Sequence, residues 1–207
     1  MNRKIGNMFG KRGFMSNSTD IQNKQKFKLL YSNQINKTNE TNKTNKNKVV
    51  AKPKETNVIK ARWANPTWEL FHTLCCQINE PYYNKNYKEV FNIISVICNN
   101  LPCPNCKYHA SERLKRVSLH EINTKNKLIL FFFNFHNEVS ERIGNKVYDR
   151  NILETYKNKN MTAVYLNFNN VFYTSYYTGT DLTGWVLNKL KDRVDGYFRK
   201  NWDDLFQ

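Results

Sequence analysis

The chain has 207 residues, enough for one core of ordinary size plus additional segments, and carries a formal net charge of +16. Its longest apolar run, Leu128 to Phe133, is far shorter than the ~20 residues that span a bilayer, and no secretory signal is visible, so we expect a soluble protein. Five cysteines within 32 residues are too few and too clustered for a secreted disulfide scaffold.

Residues 1–60 predict a disordered basic leader. They hold 14 Lys and Arg against three acids, and the Asn/Lys/Thr run 36–48 offers too little apolar surface to fold. Three interpretations stay open: a solvated leader from an AT-biased genome, an arm that contacts nucleic acid or an anionic membrane, and a mitochondrial presequence. The acid-free residues 1–15 fit a presequence, although their three glycines weaken a helix.

The apolar pattern of residues 61–158 predicts a four-helix bundle with a short fifth helix. Pro66 opens the first helix and Pro81 ends it. The later helices are expected at about 85–99, 104–116, 124–143 and 149–157. The fourth is apolar nearly all round at its centre, which is typical of a buried helix, and Gly144 is placed to cap it.

Residues 159–207 predict a C-terminal appendage made of a β-hairpin and a helix. Apolar residues alternate from Val164 to Phe168, and Asn169-Asn170 is a turn signal, so the hairpin is expected over 161–178. Asp181 is placed to cap the final helix. The apolar face of that helix comprises Leu182, Trp185, Val186, Leu190, Val194 and Phe198. The predicted fold class is therefore mainly α.

Cys103 and Cys106 carry the clearest chemical signal. Two cysteines at this spacing can form a small, easily exchanged disulfide, which takes part in redox chemistry more often than it serves only to stabilise the fold. The break at Leu101-Pro102 places Cys103 at the start of the third helix, where free N–H groups and the helix dipole favour a thiolate. We expect a substrate thiol to attack Cys103, while Cys106, one turn deeper, faces the electron acceptor. A thioredoxin-like protein would need a strand before the pair, and here a helix precedes it.

Flat rings elsewhere in the bundle indicate a site for a planar heterocycle. Trp68 and His72 share a face of the first helix, and His136-Asn137 lies in the apolar fourth helix. Such rings can sandwich a flat group, and an amide can bond its edge. Arg142 and Lys146 can pair with a diphosphate.

The competing interpretation is a zinc site. Cys103 and Cys106 would bind the metal together with His109 and His120, and the basic leader would make the protein a nucleic-acid-binding module. That interpretation gives the rings no role. Cys75, Cys76 and Cys98 are expected to be buried free thiols.

Residues 62–157 resemble the Erv/ALR sulfhydryl oxidases, which are FAD-dependent enzymes built on a helical bundle. Trp68 stands four residues before His72, Cys103 and Cys106 match the family's CxxC, and His136-Asn137 opens its His-Asn-x-Val-Asn hallmark. Further matches are Val139 in the hallmark, His109 after the second cysteine, and Trp63 with Pro66, as in viral members. Three positions depart: Ser140 replaces the last hallmark Asn, Phe131 replaces a Trp, and Lys146 lies one place after the expected lysine, at Asn145. The lack of a second disulfide and of a shuttle pair is shared with the compact members of nucleocytoplasmic large DNA viruses.

The resemblance implies a thiol oxidase that forms protein disulfides from dithiols, passes the electrons through Cys103–Cys106 to FAD, and reduces O2 to H2O2. The implied FAD contacts are Trp63, Trp68, His72, His109, His136, Asn137, Val139, Ser140, Arg142, Lys146, and Tyr148 and Tyr156, of which one packs on the adenine. The implied partners are a thioredoxin-like or CxxC-containing protein and a second copy of the chain. The implied location is the host cytoplasm or virion for a viral protein, or the mitochondrial intermembrane space for a cellular one. A family member that keeps FAD but serves virion assembly is a further alternative.

Overall fold

The computed structural model describes residues 62–176 and 184–207, so the predicted leader and the capping Asp181 lie outside the described residues. The described ranges contain seven α-helices and no strand, which confirms the mainly α prediction. The helices are α1 Ala64–Gln77, α2 Glu80–Cys98, α3 Pro104–Lys115, α4 Lys125–Arg142, α5 Glu154–Lys157, α6 Met161–Thr174 and α7 Gly184–Phe206. Short 3-10 turns lie at Leu119–Glu121 and Arg150–Leu153. No helix of these ranges is both long and apolar enough to cross a membrane.

The start of α2 corrects one predicted boundary. Pro81 does not end the first helix, because α1 stops at Gln77 and Pro81 lies in the first turn of α2. The Asn79 side chain caps that turn by accepting a hydrogen bond from the backbone N–H of Tyr82, 2.8 Å away. A proline is tolerated there because the first N–H groups of a helix have no intrahelical acceptor.

The end of α4 has the predicted glycine cap. Gly144 adopts a left-handed backbone conformation with φ +72°. Its N–H donates to the carbonyl of Glu141 (3.1 Å), and the N–H of Asn145 donates to the carbonyl of Ser140 (2.8 Å). These two bonds form a Schellman motif, which ends the helix and directs the following residues back along it.

The bundle is organised around α1 and α2. Helix α1 packs against α4, α5 and α6, and α2 packs against α3, α4 and α7. The fully buried side chains at these contacts include Phe71, Tyr83 and Phe132. The two C-terminal helices therefore cover apolar faces of the first two helices.

The predicted β-hairpin is wrong, because residues 161–174 form α6. Buried side chains recur there at helical spacing: Met161, Val164, Tyr165, Phe168, Phe172 and Tyr173. The expected turn residue Asn169 is buried, and its Nδ2 donates to Asp195 of α7 at 3.2 Å. Val164 and Phe168 belong to this helical pattern, whereas Leu166, which completes the apparent alternation, is only half-buried.

The final helix is confirmed over Gly184–Phe206; of its predicted apolar face, Leu182 lies outside the described residues and Val186 is half-buried. Leu190, Val194 and Phe198 are buried as predicted, whereas Trp185 is 70% exposed. The Trp185 ring instead lies 5.7 Å from the ammonium group of Lys189 on the surface of α7.

Candidate functional site

The predicted pairing of Cys103 and Cys106 is confirmed, since the two form a disulfide with a Cα–Cα distance of 5.1 Å. Cys103 is the N-cap of α3, and its Sγ accepts a hydrogen bond of 3.3 Å from the backbone N–H of Cys106. Both cysteines are half-buried, and Pro104 and Asn105 between them are exposed. A substrate can therefore reach the disulfide at the positive end of a helix dipole.

The other three cysteines are free and buried, as predicted. Burial raises the pKa of the Cys75, Cys76 and Cys98 thiols, because a thiolate is poorly solvated in an apolar interior. These thiols are therefore less reactive than the half-buried Cys103–Cys106 pair.

A cavity of about 580 Å³ lies between α1, α4 and the segment 145–159. Its volume is within the ~300–1,000 Å³ typical of small-molecule sites. Eight of the predicted contacts line it: Trp68, His72, His136, Asn137, Ser140, Lys146, Tyr148 and Tyr156. The fold thus brings together residues from three separate stretches of sequence.

One wall of this cavity is a stack of rings. The Trp68 and His136 rings are 4.2 Å apart and nearly parallel, at 9°. His72 Nε2 lies 2.9 Å from His136 Nδ1, so one ring donates a hydrogen bond and the other accepts it. The Tyr156 ring lies 4.9 Å from that of His72.

The two histidines of the wall are held neutral. Burial, together with the smaller effect of the adjacent His136, lowers the pKa of His72 to about 3, and burial lowers the pKa of His136 to about 4. At neutral pH the wall is therefore flat, aromatic and uncharged.

Asn137 and Tyr148 join α4 to the loop that follows it. The Asn137 Nδ2 donates to the Tyr148 carbonyl (2.9 Å), and its Oδ1 accepts from the Tyr148 N–H (3.1 Å). The amide thus holds the loop against α4 rather than pointing freely into the cavity. Lys146 and Asn145, the two candidate positions for the family's lysine, both line the cavity.

Glu69 and Lys159, which the sequence analysis missed, also line the cavity. Lys159 forms an ion pair with Glu69 of α1, and its ammonium group lies 5.4 Å from the Tyr156 ring. The Gln77 amide donates to the backbone carbonyls of Tyr156 (2.9 Å) and Lys159 (2.7 Å). No sequence motif marks these residues, because they meet only when α1 packs beside the connection to α6.

Four predicted contacts do not line this cavity. Trp63 is buried in the core, and its indole N–H has no hydrogen-bond partner among residues 62–176 and 184–207. His109, Val139 and Arg142 instead line a second cavity of about 250 Å³ between α3 and α4, together with Glu112, Arg113, Arg116, Phe135 and Glu138. We refer to this second cavity as the α3–α4 groove.

The zinc interpretation finds no support in residues 62–176 and 184–207. The two sulfur atoms that it needs are bonded to each other, and zinc binds thiolates. His109 lies in the α3–α4 groove and His120 in an exposed 3-10 turn. No group of three or more His, Cys, Asp or Glu side chains in the described ranges is arranged to hold a metal ion.

The fold and the site define a helical domain with a half-buried disulfide at a helix start and a ring-lined cavity. The profile of the Erv1/Alr family matches residues 65–172, and the chain belongs to that family. A protein of invertebrate iridescent virus 3, named as an FAD-linked sulfhydryl oxidase, is 32% identical over 83 residues, or 40% of this chain. The match covers 56% of the viral protein, so the chain spans about half the length of that relative. No solved structure matches the chain.

Proposed function

We propose that this protein is an FAD-dependent thiol oxidase that forms disulfides in substrate proteins, with O2 as the final acceptor and H2O2 as the product. The observation that carries the proposal is the half-exposed Cys103–Cys106 disulfide at the start of α3, in the same bundle as a ring-walled cavity. The name of the viral relative supports both the cofactor and the reaction.

The side chains of the cavity fit FAD by their chemistry. Trp68, His72, His136 and Tyr156 offer uncharged flat surfaces for its ring systems. Ser140 and the ammonium group of Lys146 can bind polar edges and the diphosphate. When bound, FAD supplies the two-electron chemistry that links thiols to O2. Trp63, His109, Val139 and Arg142 do not line this cavity, and the FAD site proposed here does not include them.

In the proposed reaction, a substrate thiolate attacks the Sγ of Cys103, the Cys103–Cys106 bond breaks, and Cys106 leaves as a thiolate. A second thiolate of the substrate then attacks the substrate sulfur of the mixed disulfide and releases Cys103. The substrate has lost two electrons and gained a disulfide, and the cysteine pair has gained both electrons. The N-terminal N–H groups of α3 stabilise the thiolates that form, one of them through the bond between the Cys106 N–H and the Cys103 sulfur.

Single substitutions of the pair test this assignment. Cys103→Ser and Cys106→Ser are each expected to abolish dithiol-dependent O2 consumption, because neither variant can form the disulfide. Both should keep the visible flavin absorption, since neither cysteine lines the ring cavity. Cys98→Ala, which removes a buried free thiol, is the matched control and should retain turnover. Turnover in either Ser variant, or a purified protein without flavin, would contradict the proposal.

We further propose a thioredoxin-like or CxxC-containing protein as the natural substrate, and a homodimer as the oligomeric state. Both follow from the family resemblance. Sedimentation of the purified full-length chain tests the oligomeric state. A viral origin, a role in virion assembly, a location in the host cytoplasm or virion, and contact between the leader and nucleic acid or membrane stay predictions. The division at residues 60 and 158 also stays a prediction.

A further inference from the structure

The α3–α4 groove begins one helical turn from the redox pair. Cys106, His109, Arg113 and Arg116 are spaced three, four and three residues apart, so they share one face of α3. The last three of these residues line the groove. A segment of a bound protein that reaches the disulfide can therefore continue along this face without leaving the surface.

The groove combines an apolar floor with rims that carry three arginines and two glutamates, and both glutamates are ion-paired, Glu112 to Lys115 and Glu138 to Arg113. Its floor contains the buried ring of Phe135 and the half-buried Val139. Arg113 already has partners within the bundle, because its Nε lies 2.9 Å from Glu138 and its guanidinium lies 4.8 Å from the Phe131 ring. Arg116 and Arg142 are exposed, and neither has an ion pair within the described ranges.

We propose that the α3–α4 groove binds an acidic, partly apolar segment of the dithiol protein that the enzyme oxidises. The redox part of this inference rests on the proposed oxidase function. Arginine forks recognise carboxylates through paired hydrogen bonds, and the floor accepts apolar side chains between them. The chain's own residues 1–60 cannot provide such a segment, because they are strongly basic.

The geometry sets the position of the acidic residues in the substrate. From Cys103 to Arg116 the helix advances thirteen residues, or about 20 Å at ~1.5 Å per residue. An extended peptide covers that length in about six residues at ~3.3 Å each. Carboxylates about six residues from the reacting cysteine will therefore reach Arg116.

Binding can be measured without turnover. The probes are fluorescent Ser-x-x-Ser peptides with three Glu about six residues before or after the serines, and Lys-containing twins. Anisotropy with the full-length oxidised protein is expected to show binding of a Glu peptide and weak binding of its twin. Arg116→Glu should weaken Glu-peptide binding about three- to tenfold, because one attraction becomes a repulsion. Arg193→Glu, at an exposed arginine of α7, makes the same charge change elsewhere and should have little effect.

Three results would overturn the inference. Equal losses for Arg116→Glu and Arg193→Glu would show attraction to the net positive charge rather than to the groove. Equal binding of the Glu and Lys peptides would show that the groove does not recognise carboxylates. A larger effect of Arg116→Glu on an oligothymidine probe than on the Glu peptide would assign the groove to nucleic acid.

Turnover separates this inference from the proposed function. With Cys-x-x-Cys peptides, Arg116→Glu should raise KM for the Glu peptide about as much as it weakens binding, while kcat/KM for dithiothreitol stays unchanged. An equal loss with dithiothreitol would overturn the role of the groove in substrate binding. A wild-type protein that binds the Glu peptide but oxidises no dithiol would refute the oxidase function and leave the binding result intact.

Discussion

The His72–His136 pair gives the ring cavity a defined response to pH. Both rings are neutral in the folded protein, because burial lowers their pKa values to about 3 and about 4. In the unfolded chain each histidine has a pKa of about 6.5. Between these values the unfolded state binds more protons than the folded state, so the free energy of unfolding falls as the pH drops from about 6.5 towards 4.

The size of this effect follows from the protons taken up. A histidine that stays neutral when folded loses about 2 kcal/mol between pH 7 and pH 5, which is the expectation for the buried His72. His136 is partly exposed, so solvent reduces its contribution to about 1 kcal/mol. The pair therefore accounts for a loss of about 3 kcal/mol over this interval.

The variant His136→Gln removes the contribution of His136 and leaves most of that of His72. A glutamine amide can still bond His72 but does not titrate, so urea unfolding of the flavin-free protein should show a flatter pH dependence. The lost stacking on Trp68 lowers the free energy of unfolding by about 1 kcal/mol at every pH. This loss shifts the plot of unfolding free energy against pH downwards without changing its slope. His120→Gln, at an exposed histidine outside the cavity, controls for the substitution itself. Parallel curves for the wild type and His136→Gln would refute the reasoning.

The remaining predictions concern positions that hold the fold around the site. Asp195→Ala should lower the free energy of unfolding by about 1–3 kcal/mol, because the buried Tyr165 hydroxyl loses an acceptor at 2.6 Å. Asp192→Ala, at an exposed position of α7, is the control and should have little effect. Equal losses of stability in the two variants would contradict this role of Asp195. Gly144→Ala should cost about 1 kcal/mol because φ is positive there, whereas Gly196→Ala within α7 should stabilise by about 0.5–1 kcal/mol; urea unfolding that shows the same sign for both would disagree.

The sequence predicted best those elements whose signals are local. The start of α3 follows from the Pro-Cys-Pro sequence around Cys103, and the end of α4 follows from Gly144. Pro81 was assigned to the wrong helix because a proline marks both the end of one helix and the first turn of the next. Residues 161–174 predict a hairpin because a few apolar residues alternate over Val164–Phe168. The helical period of the whole segment decides the structure instead, because α1 covers the side of the helix on which the apolar residues lie.

The site was predicted only in part, for a related reason. Trp68, His72 and His136 were identified because rings in amphipathic or apolar helices are visible in the sequence, and their convergence is confirmed. The ion pair of Lys159 with Glu69 links residues 90 positions apart, and nothing near either residue marks the other. The charge of Arg142 was the sole basis for predicting that it binds a diphosphate, whereas its side chain lines the α3–α4 groove.

The C-terminal half of α4 explains why neighbouring residues of one motif line different cavities. His136, Asn137 and Ser140 line the ring cavity, while Phe135, Val139 and Arg142 line the α3–α4 groove. Helical periodicity requires this division, since residues at i, i+4 and i+7 from Phe135 form one stripe and residues at i, i+1 and i+4 from His136 form another. A single helix thus separates the proposed cofactor site from the proposed substrate groove. The Arg113–Glu138 bridge joins α4 to α3, the helix that begins at the disulfide, so the groove is held one helical turn from the redox pair.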